Sequence, residues 1–135
     1  MNPQFHLDQD VGARLKNQLN IRYADDVAKT AAELGLQRAS DGHHLIEAAK
    51  ANRIFVTNNG KDFITMQDAW MRWSAEWSVD PTHAGILIVP QSWGPQQAAQ
   101  EIAAFLGNRV TLSNEIWSYD EAIQQWIQNP APRRR

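Results

Sequence analysis

The sequence predicts an α/β protein, a three-layer sandwich around a mainly parallel sheet of four or five strands. Short apolar runs alternate with segments of helical periodicity along the chain. Two of these runs, residues 53–57 and 84–90, are nearly continuously apolar, which is typical of parallel strands buried on both faces. Polar residues follow the carboxyl ends of several predicted strands, where open α/β sheets bind their ligands.

The first quarter of the chain is predicted to contain two strand–helix units. Residues 4–8 are a short strand, and the helix after them has apolar residues at helical spacing over residues 11–19. Residues 21–24 are predicted as the second strand. Residues 25–34 are predicted as a helix, because an aspartate begins this segment and a glycine follows it.

The central segment carries stronger signals. Residues 40–52 are predicted as a helix, with Ser40 as the N-cap and Asp41 in the first turn, where the helix dipole favours an acid. Residues 53–57 are the third strand. Residues 60 to about 77 are predicted as a long helix, which the Asp-Pro pair after it would end.

The last part of the chain is predicted to be mostly helical after one strong strand. Residues 84–90 form that strand, and residues 95–107 form a helix between a proline and a glycine. Residues 109–112 are predicted as a short strand and residues 113–127 as mostly helix.

These elements predict one domain over residues 1–128, with a helical extension from about residue 91 and a flexible basic tail over 129–135. All six tryptophans lie in the C-terminal half. Trp70, Trp73 and Trp77 follow helical spacing, so we expect them in the core or at a partner interface.

Composition limits the classes of function. The 135 residues suffice for one domain with a sizeable core, and 43% of them are hydrophobic. A net charge of -2 excludes a global basic field, so contact with nucleic acid must depend on a local patch or a metal ion. The absence of cysteine excludes disulfides and thiolate ligands. No signal-peptide pattern or membrane-spanning run is present, so we expect a cytoplasmic protein without a membrane partner.

Carboxylates follow the predicted strands at corresponding places. Asp8 ends the first strand, Asp41 begins the helix before the third strand, and Asp62 follows that strand after Thr57 and Asn59. Because the carboxyl ends of parallel strands lie at one edge of a sheet, we expect these side chains to converge. Converging acids repel one another, and hard cations such as Mg²⁺ or Mn²⁺ prefer oxygen ligands. The pattern therefore predicts a metal site.

Three segments together resemble the PIN-domain superfamily: residues 5–8, residues 39–41 and residues 54–63. In that superfamily an apolar strand ends in Asp, a later Asp begins a helix, and a strand leads into a Thr-x-Asn/Asp-x-x-Asp-Phe loop. The short first half and residues 83–89 resemble a compact PIN-like family, often found in bacterial toxin–antitoxin gene pairs, more than full-length VapC-type ribonuclease toxins. The resemblance covers residues 4–90.

This resemblance implies a Mg²⁺- or Mn²⁺-dependent endoribonuclease, the toxin of a toxin–antitoxin pair. Its partners would be RNA, a cognate antitoxin and a second chain in a homodimer or hetero-oligomer. By position, Asp8, Asp41 and Asp62 would be the catalytic metal-site acids. Asn59 would hold the ion or its water, and Thr57 would support the loop.

One further acid is expected in PIN domains, usually a Glu on a helix between the first strand and the position of Asp41. Glu33 is the only glutamate in that interval, and Asp10 is the alternative. Substrate phosphate would meet a small set of basic or histidine side chains near the acids: Lys61, Arg38 and His43.

Simpler interpretations stay open beside these. Asp41 and Asp62 also suit the first turns of helices without any ligand, and Asn59 also suits a turn. Lys61 and Arg38 can equally be surface residues. Adjacent histidines on a helix point in different directions, so we expect His43 and His44 in solvent or at a groove edge, and not as a chelating pair. His83 is expected to be structural.

Two other classes of function compete with the nuclease. The lack of a clear further acid and the tryptophan-rich half favour a non-catalytic PIN-like interaction module. The Asp8-x-Asp10 pattern after a strand also resembles phosphotransfer sites. That interpretation lacks a Ser or Thr two residues after Asp10 and a lysine at a later strand end.

Overall fold

The α/β class is confirmed by a computed structural model that describes residues 2–76 and 82–129. The strands are β1 (Phe5–Leu7), β2 (Ala28–Thr30), β3 (Ile54–Thr57), β4 (Ile86–Ile88), β5 (Ile116–Asp120) and β6 (Gln125–Gln128). The helices are α1 (Gly12–Arg22), α2 (Asp41–Lys50), α3 (Gly60–Glu76) and α4 (Pro95–Leu106). None of these helices is long and apolar enough to cross a membrane.

The strands form one mostly parallel sheet in the order β2-β1-β3-β4-β5-β6. Strands β1 to β5 are parallel, and β6 is antiparallel to β5. The described residues thus contain six strands, whereas four or five were predicted. The chain leaves β1 toward β2 on one side and resumes with β3 on the other side. This reversal makes the carboxyl ends of β1 and β3 the switch point, where sheets of this order bind ligands.

Two apolar clusters hold the sheet to its helices. Alternate residues of β3 divide between them, because successive side chains of a strand point to opposite faces. Ile54 and Val56 join residues of α1 and α4 in the first cluster, and Phe55 joins residues of α2 and α3 in the second. The sheet is therefore buried on both faces where it carries the site.

The central elements form as predicted. The Ser40 hydroxyl accepts a hydrogen bond from the backbone N–H of His43 at 3.2 Å, as expected of the N-cap of α2. Helix α3 begins at Gly60 and is described to Glu76, so the predicted end at Trp77 lies outside the described residues. Helix α4 begins at Pro95 and ends at Leu106, and the φ of 57° at its C-cap Gly107 suits a residue without a Cβ.

The predictions for residues 21–24 and 25–34 are wrong. Helix α1 continues to Arg22. The strand beside β1 is β2, which begins four residues after the end of the predicted strand. Val27 and Ala28 are buried, and the N–H of Ala28 donates to Asn20 Oδ1 at 3.0 Å. Burial against β1 therefore outweighs the helical signal of this alanine-containing segment.

The predictions for residues 109–112 and 113–127 are also wrong, and so is the helical extension beyond α4. Residues 109–112 are not a strand, and residues 116–128 form the β5–β6 hairpin. Leu112 instead packs against Gly85, where an added Cβ would lie 2.6 Å from the Leu112 Cβ. Pairing of β5 with β4 and of β5 with β6 decides the structure here, and short sequence windows do not contain that information.

The tryptophan prediction is confirmed for Trp70, which is partly buried against the second cluster. Its ring meets His83 edge-on, with ring centroids 5.5 Å apart. The side chain of Trp73 and all of Trp77 lie outside the described part of the chain, as do residues 130–135 of the predicted tail.

Candidate carboxylate site at the switch point

Asp8 lies directly after β1 and is only 8% exposed. Its two carboxylate oxygens have separate donors: the Thr57 hydroxyl donates to Oδ2 at 2.8 Å, and the Gln9 backbone N–H donates to Oδ1 at 2.9 Å. A buried acid is costly unless it is hydrogen-bonded, and these two bonds provide that stabilisation. The carboxylate is thereby fixed at the end of the central strand.

Asp41 is the second acid of the candidate site. It lies in the first turn of α2 and is partly exposed. Burial raises the pKa of Asp41, and the charges of Asp8 and Asp62 raise it further. Like charges raise a carboxyl pKa only when they lie within electrostatic range. Asp41 therefore lies within electrostatic range of both Asp8 and Asp62.

The loop between β3 and α3 is linked to Asp8 by a short chain of hydrogen bonds. The Thr57 hydroxyl, which donates to Asp8, also accepts the backbone N–H of Asn59 at 3.0 Å. The Asn59 side-chain amide in turn donates to Asp62 Oδ2 at 2.9 Å. Asn59 thus orients Asp62, and Thr57 ties the loop to the carboxylate at the end of β1.

Asp10 is a fourth acid beside this group. Burial raises its pKa, and the charge of Asp8 raises it further. The backbone N–H of Asn58 lies 3.5 Å from Asp10 Oδ1, and the Asn58 side chain donates to the Asp10 carbonyl oxygen at 3.3 Å. These contacts connect the loop after β1 to the loop after β3.

Glu33 has a different environment. It follows β2, forms a 2.7 Å ion pair with Lys16, and accepts the backbone N–H and hydroxyl of Thr30. The hydrogen bond from Lys16 is the main reason that the pKa of Glu33 is lowered. Glu33 therefore interacts with Lys16 and with the turn that begins at Thr30. Asp10 is the further acid that interacts with Asp8.

The predicted basic contacts are on the surface. Lys61 and Arg38 are exposed. His43 is also exposed, and its Nε2 lies 3.7 Å from Glu47 Oε1. All three side chains therefore lie on the surface. That position is compatible with contact to a substrate phosphate and equally with a surface residue that binds nothing.

Three cavities follow the carboxyl edge of the sheet. One, of about 570 Å³, lies beyond β3, β4 and β5, with Asn58, Tyr119 and Asp120 among its lining residues. A second, of about 260 Å³, shares Asn58 with it and includes Asp10. A third, of about 360 Å³, includes Asp8. Asp8 and Asp10 therefore lie beside cavities that have room for a ligand.

The donor chemistry of this site fits a hard divalent cation, since it consists of carboxylates and an asparagine amide. Within residues 2–76 and 82–129, however, no three His, Cys, Asp or Glu side chains are close enough together to share one ion. Asp41 and Asp62 both reach solvent, whereas Asp8 is buried and held by its two donors.

Sequence reasoning missed a buried histidine pair behind Asp8 and Asp41. His6 Nε2 lies 3.0 Å from His44 Nδ1, and the residues are 1% and 2% exposed. The expectation of a solvent or groove-edge position for His44 is therefore wrong. Two signals were available: His6 is in the middle of an apolar strand, and His44 is one helical turn after Asp41.

Burial is the main cause of a lowered pKa at His6, which falls to about 4; the neighbouring His44 and Arg53 lower it further. His83 is buried elsewhere, against α3, and its Nε2 lies 2.6 Å from Gln67 Oε1. Its burial and its contacts are those of a structural residue, as expected.

Comparisons of the chain with protein-family models, with curated proteins and with solved structures found no match.

Proposed function

We propose that this chain is a Mg²⁺- or Mn²⁺-dependent endoribonuclease with a PIN-like, three-layer architecture. The observation that supports it best is that Asp41 lies within electrostatic range of Asp8 and Asp62 at the switch point, so that their charges raise its pKa. A cation that binds near such carboxylates would relieve their mutual repulsion. The resemblance of residues 4–90 to PIN-like toxins adds the proposals of RNA as substrate, an antitoxin as partner and the cytoplasm as location.

Asp8, Asp41 and Asp62 would hold the cation, with Asn59 at their side. A bound divalent cation would activate a water molecule and stabilise the charge that develops on the phosphate during phosphodiester hydrolysis. Thr57 keeps Asp8 oriented through its hydroxyl. Asn59 keeps Asp62 oriented through its side-chain amide. Lys61, exposed in the first turn of α3, would attract the phosphate backbone.

The test is cleavage of a mixed-sequence fluorogenic RNA with Mn²⁺, with Mg²⁺ and with EDTA. Asp8→Asn and Asp41→Asn should each abolish metal-dependent cleavage while thermal unfolding shows an intact fold. Asp25→Asn is the matched control, since Asp25 is an exposed aspartate before β2, and it should cleave as the wild type does. Full cleavage by both site variants would refute the nuclease proposal.

A second candidate function is a non-catalytic interaction module. It is favoured by the lack, among the described residues, of three ligands within reach of one ion. It is also favoured by an aromatic band of partly buried rings around α4, β5 and β6. The band consists of Trp93, Phe105, Trp117, Tyr119 and Trp126. If the chain is an interaction module, light scattering after size-exclusion chromatography should show a stable oligomer. The RNA assay should show no metal-dependent cleavage.

A further inference from the structure

The two edges of the sheet differ in their protection. The sheet ends in β2 on one side and in β6 on the other. Edge strands expose unpaired backbone groups, and proteins commonly protect them with charged side chains. Strand β2 has Lys29 at its centre, and this lysine forms an ion pair with Asp26 at 3.3 Å. Residues 122–129, which include β6, contain no charged side chain. The β6 edge is therefore the unprotected one.

The surface around β6 is partly apolar. Ile123, in the turn before β6, is 53% exposed. Ile127 is half-buried, and it belongs to neither apolar cluster of the described residues. Its side chain is on the opposite face of the sheet from that of Trp126, because successive residues of a strand alternate. Apolar side chains at an open sheet edge are typical of a surface that contacts another chain.

The pairing of β6 with β5 decides which backbone groups of β6 stay free. The N–H of Asn129 donates to the Ile116 carbonyl at 2.7 Å. In an antiparallel pair every second residue bonds to the same neighbour, so Ile127 also directs its N–H and carbonyl toward β5. Trp126 and Gln128 therefore direct theirs toward the open edge, where no described strand pairs with them.

This pattern of free groups is complementary to itself. If two copies of β6 lie antiparallel across a twofold axis at Ile127, Trp126 of each copy lies opposite Gln128 of the other. Each of these two pairs exchanges two hydrogen bonds, so four bonds form. A shifted register forms fewer, because Pro130 has no N–H and Gln124 leaves the strand with a φ of 54°. The backbone therefore favours one register.

The charges on the two sides of β6 favour the same orientation. Asp120 and Glu121 lie where β5 ends and the turn to β6 begins, and the sequence after β6 ends in three arginines, residues 133–135. Antiparallel pairing directs the basic end of each copy toward the acidic turn of the other. Parallel pairing would bring like charges together, which is unfavourable.

We propose that the open edge of β6 binds a second copy of this chain, in an antiparallel pair with Ile127 at the twofold axis. The two sheets continue into one another through the backbone groups of Trp126 and Gln128, and the two Ile127 side chains pack across the axis. This pairing goes beyond the proposed function and does not depend on it. The nuclease and the interaction module are both compatible with it, and the RNA assay decides between those two.

Cysteine cross-linking tests the register, because the wild-type chain has no cysteine. The two Ile127 residues would form a non-hydrogen-bonded pair with Cα atoms about 4.5 Å apart, which is within disulfide range. Ile127→Cys should therefore form a disulfide-linked dimer under mild oxidation. Ile123→Cys is the matched control, because the two copies of this exposed isoleucine would be about 20 Å or more apart. Equally efficient cross-linking of both variants would overturn the antiparallel register.

Two changes at Gln128 test whether the backbone forms the contact. Gln128→Pro removes the outward N–H and no bond to β5, and edge strands tolerate proline at such positions. Gln128→Ala keeps the N–H and removes only the side chain. In sedimentation velocity over a concentration series, the wild type and Gln128→Ala should dimerise with similar Kd. Gln128→Pro should raise Kd about 10-fold or more, because two of the four bonds are lost.

Three results would overturn the proposal: a wild type that is monomeric at every concentration, an Ile127→Cys protein without a disulfide dimer, or an unchanged Kd in a Gln128→Pro protein whose thermal unfolding shows an intact fold. The first would leave the edge to an extended segment of a different protein. If Gln128→Pro does not fold, the two cysteine variants decide. A wild type that dimerises in this register but does not cleave RNA refutes the proposed function and supports this pairing, whereas a monomer that cleaves RNA does the reverse.

Discussion

Acidification should destabilise this protein through histidines that are buried in the neutral form, and His83 is the clearest case. His83 is 1% exposed, and burial lowers its pKa from 6.5 to about 4. Its Nδ1 accepts the backbone N–H of Gly85 at 3.0 Å, and its Nε2 lies 2.6 Å from Gln67 Oε1. Both nitrogens are thus occupied in a neutral ring, and a second proton would remove the bond from Gly85.

The sign and size of the effect follow from the two pKa values. Between pH 6.5 and 4 the unfolded chain binds a proton at this position and the folded chain does not, so stability falls as the pH falls. For pKa values of 6.5 and about 4, the loss between pH 7 and pH 5 is about 2 kcal/mol per histidine. His6, whose pKa is also about 4, adds a similar loss. Asp10 and Asp41 act in the opposite direction, because their pKa values are raised.

The assay is urea denaturation followed by tryptophan fluorescence at pH 7 and pH 5. His83→Gln has no titrating ring at this position, so its loss of stability between the two pH values should be smaller than that of the wild type by about 2 kcal/mol. The comparison is between pH values within each variant, so any loss common to both pH values cancels. His43→Asn should behave as the wild type. An equal pH dependence in wild type and His83→Gln would refute the reasoning.

Two further outcomes are expected at the carboxylate site. Mn²⁺ should raise the melting temperature of the wild type but not that of Asp41→Asn, because a ligand stabilises the folded protein only where it binds. Equal shifts in both proteins would place the ion elsewhere. Thr57→Val keeps the shape of a fully buried side chain but removes the bonds to Asp8 and Asn59, and should lower the free energy of unfolding by about 2 to 3 kcal/mol. An unchanged urea midpoint for this variant would show that these bonds contribute nothing net.

Local signals explain which elements could be predicted. Strand β3 is a nearly continuous apolar run, and α2 has both a capping serine and a first-turn acid. Each of these elements can therefore be predicted from a few neighbouring residues. The β5–β6 hairpin does not. Its apolar residues 116, 119, 123 and 126 match the spacing of a helix, yet Tyr119 pairs with Trp126 across two antiparallel strands. The deciding contact for β5 is with β4, some 30 residues away in sequence, which no local pattern contains.

The candidate site also has features that the sequence predicts and contacts that it does not. Strand direction predicts that Asp8, Asp41 and Asp62 lie at one edge of the sheet. The bond between the Thr57 hydroxyl and Asp8 depends on side-chain distances across two strands, which the sequence does not give. The His6–His44 contact is of the same kind, since it joins residues 38 positions apart. The sequence could suggest that each histidine faces inward, but not that the two rings meet.

Asp41 is the residue at which a ligand site and a helix-start acid lead to different expectations. Two influences act on its charge: the N-terminus of α2 favours a carboxylate by about 0.3 to 1 kcal/mol, whereas burial and the charges of Asp8 and Asp62 disfavour it. Burial and the charges of Asp8 and Asp62 raise the pKa of Asp41. These effects make the ionised form of Asp41 less favourable in the folded protein. A cation at the switch point would offset that cost, and for this reason the Mn²⁺ response of Asp41→Asn separates a ligand site from a structural one.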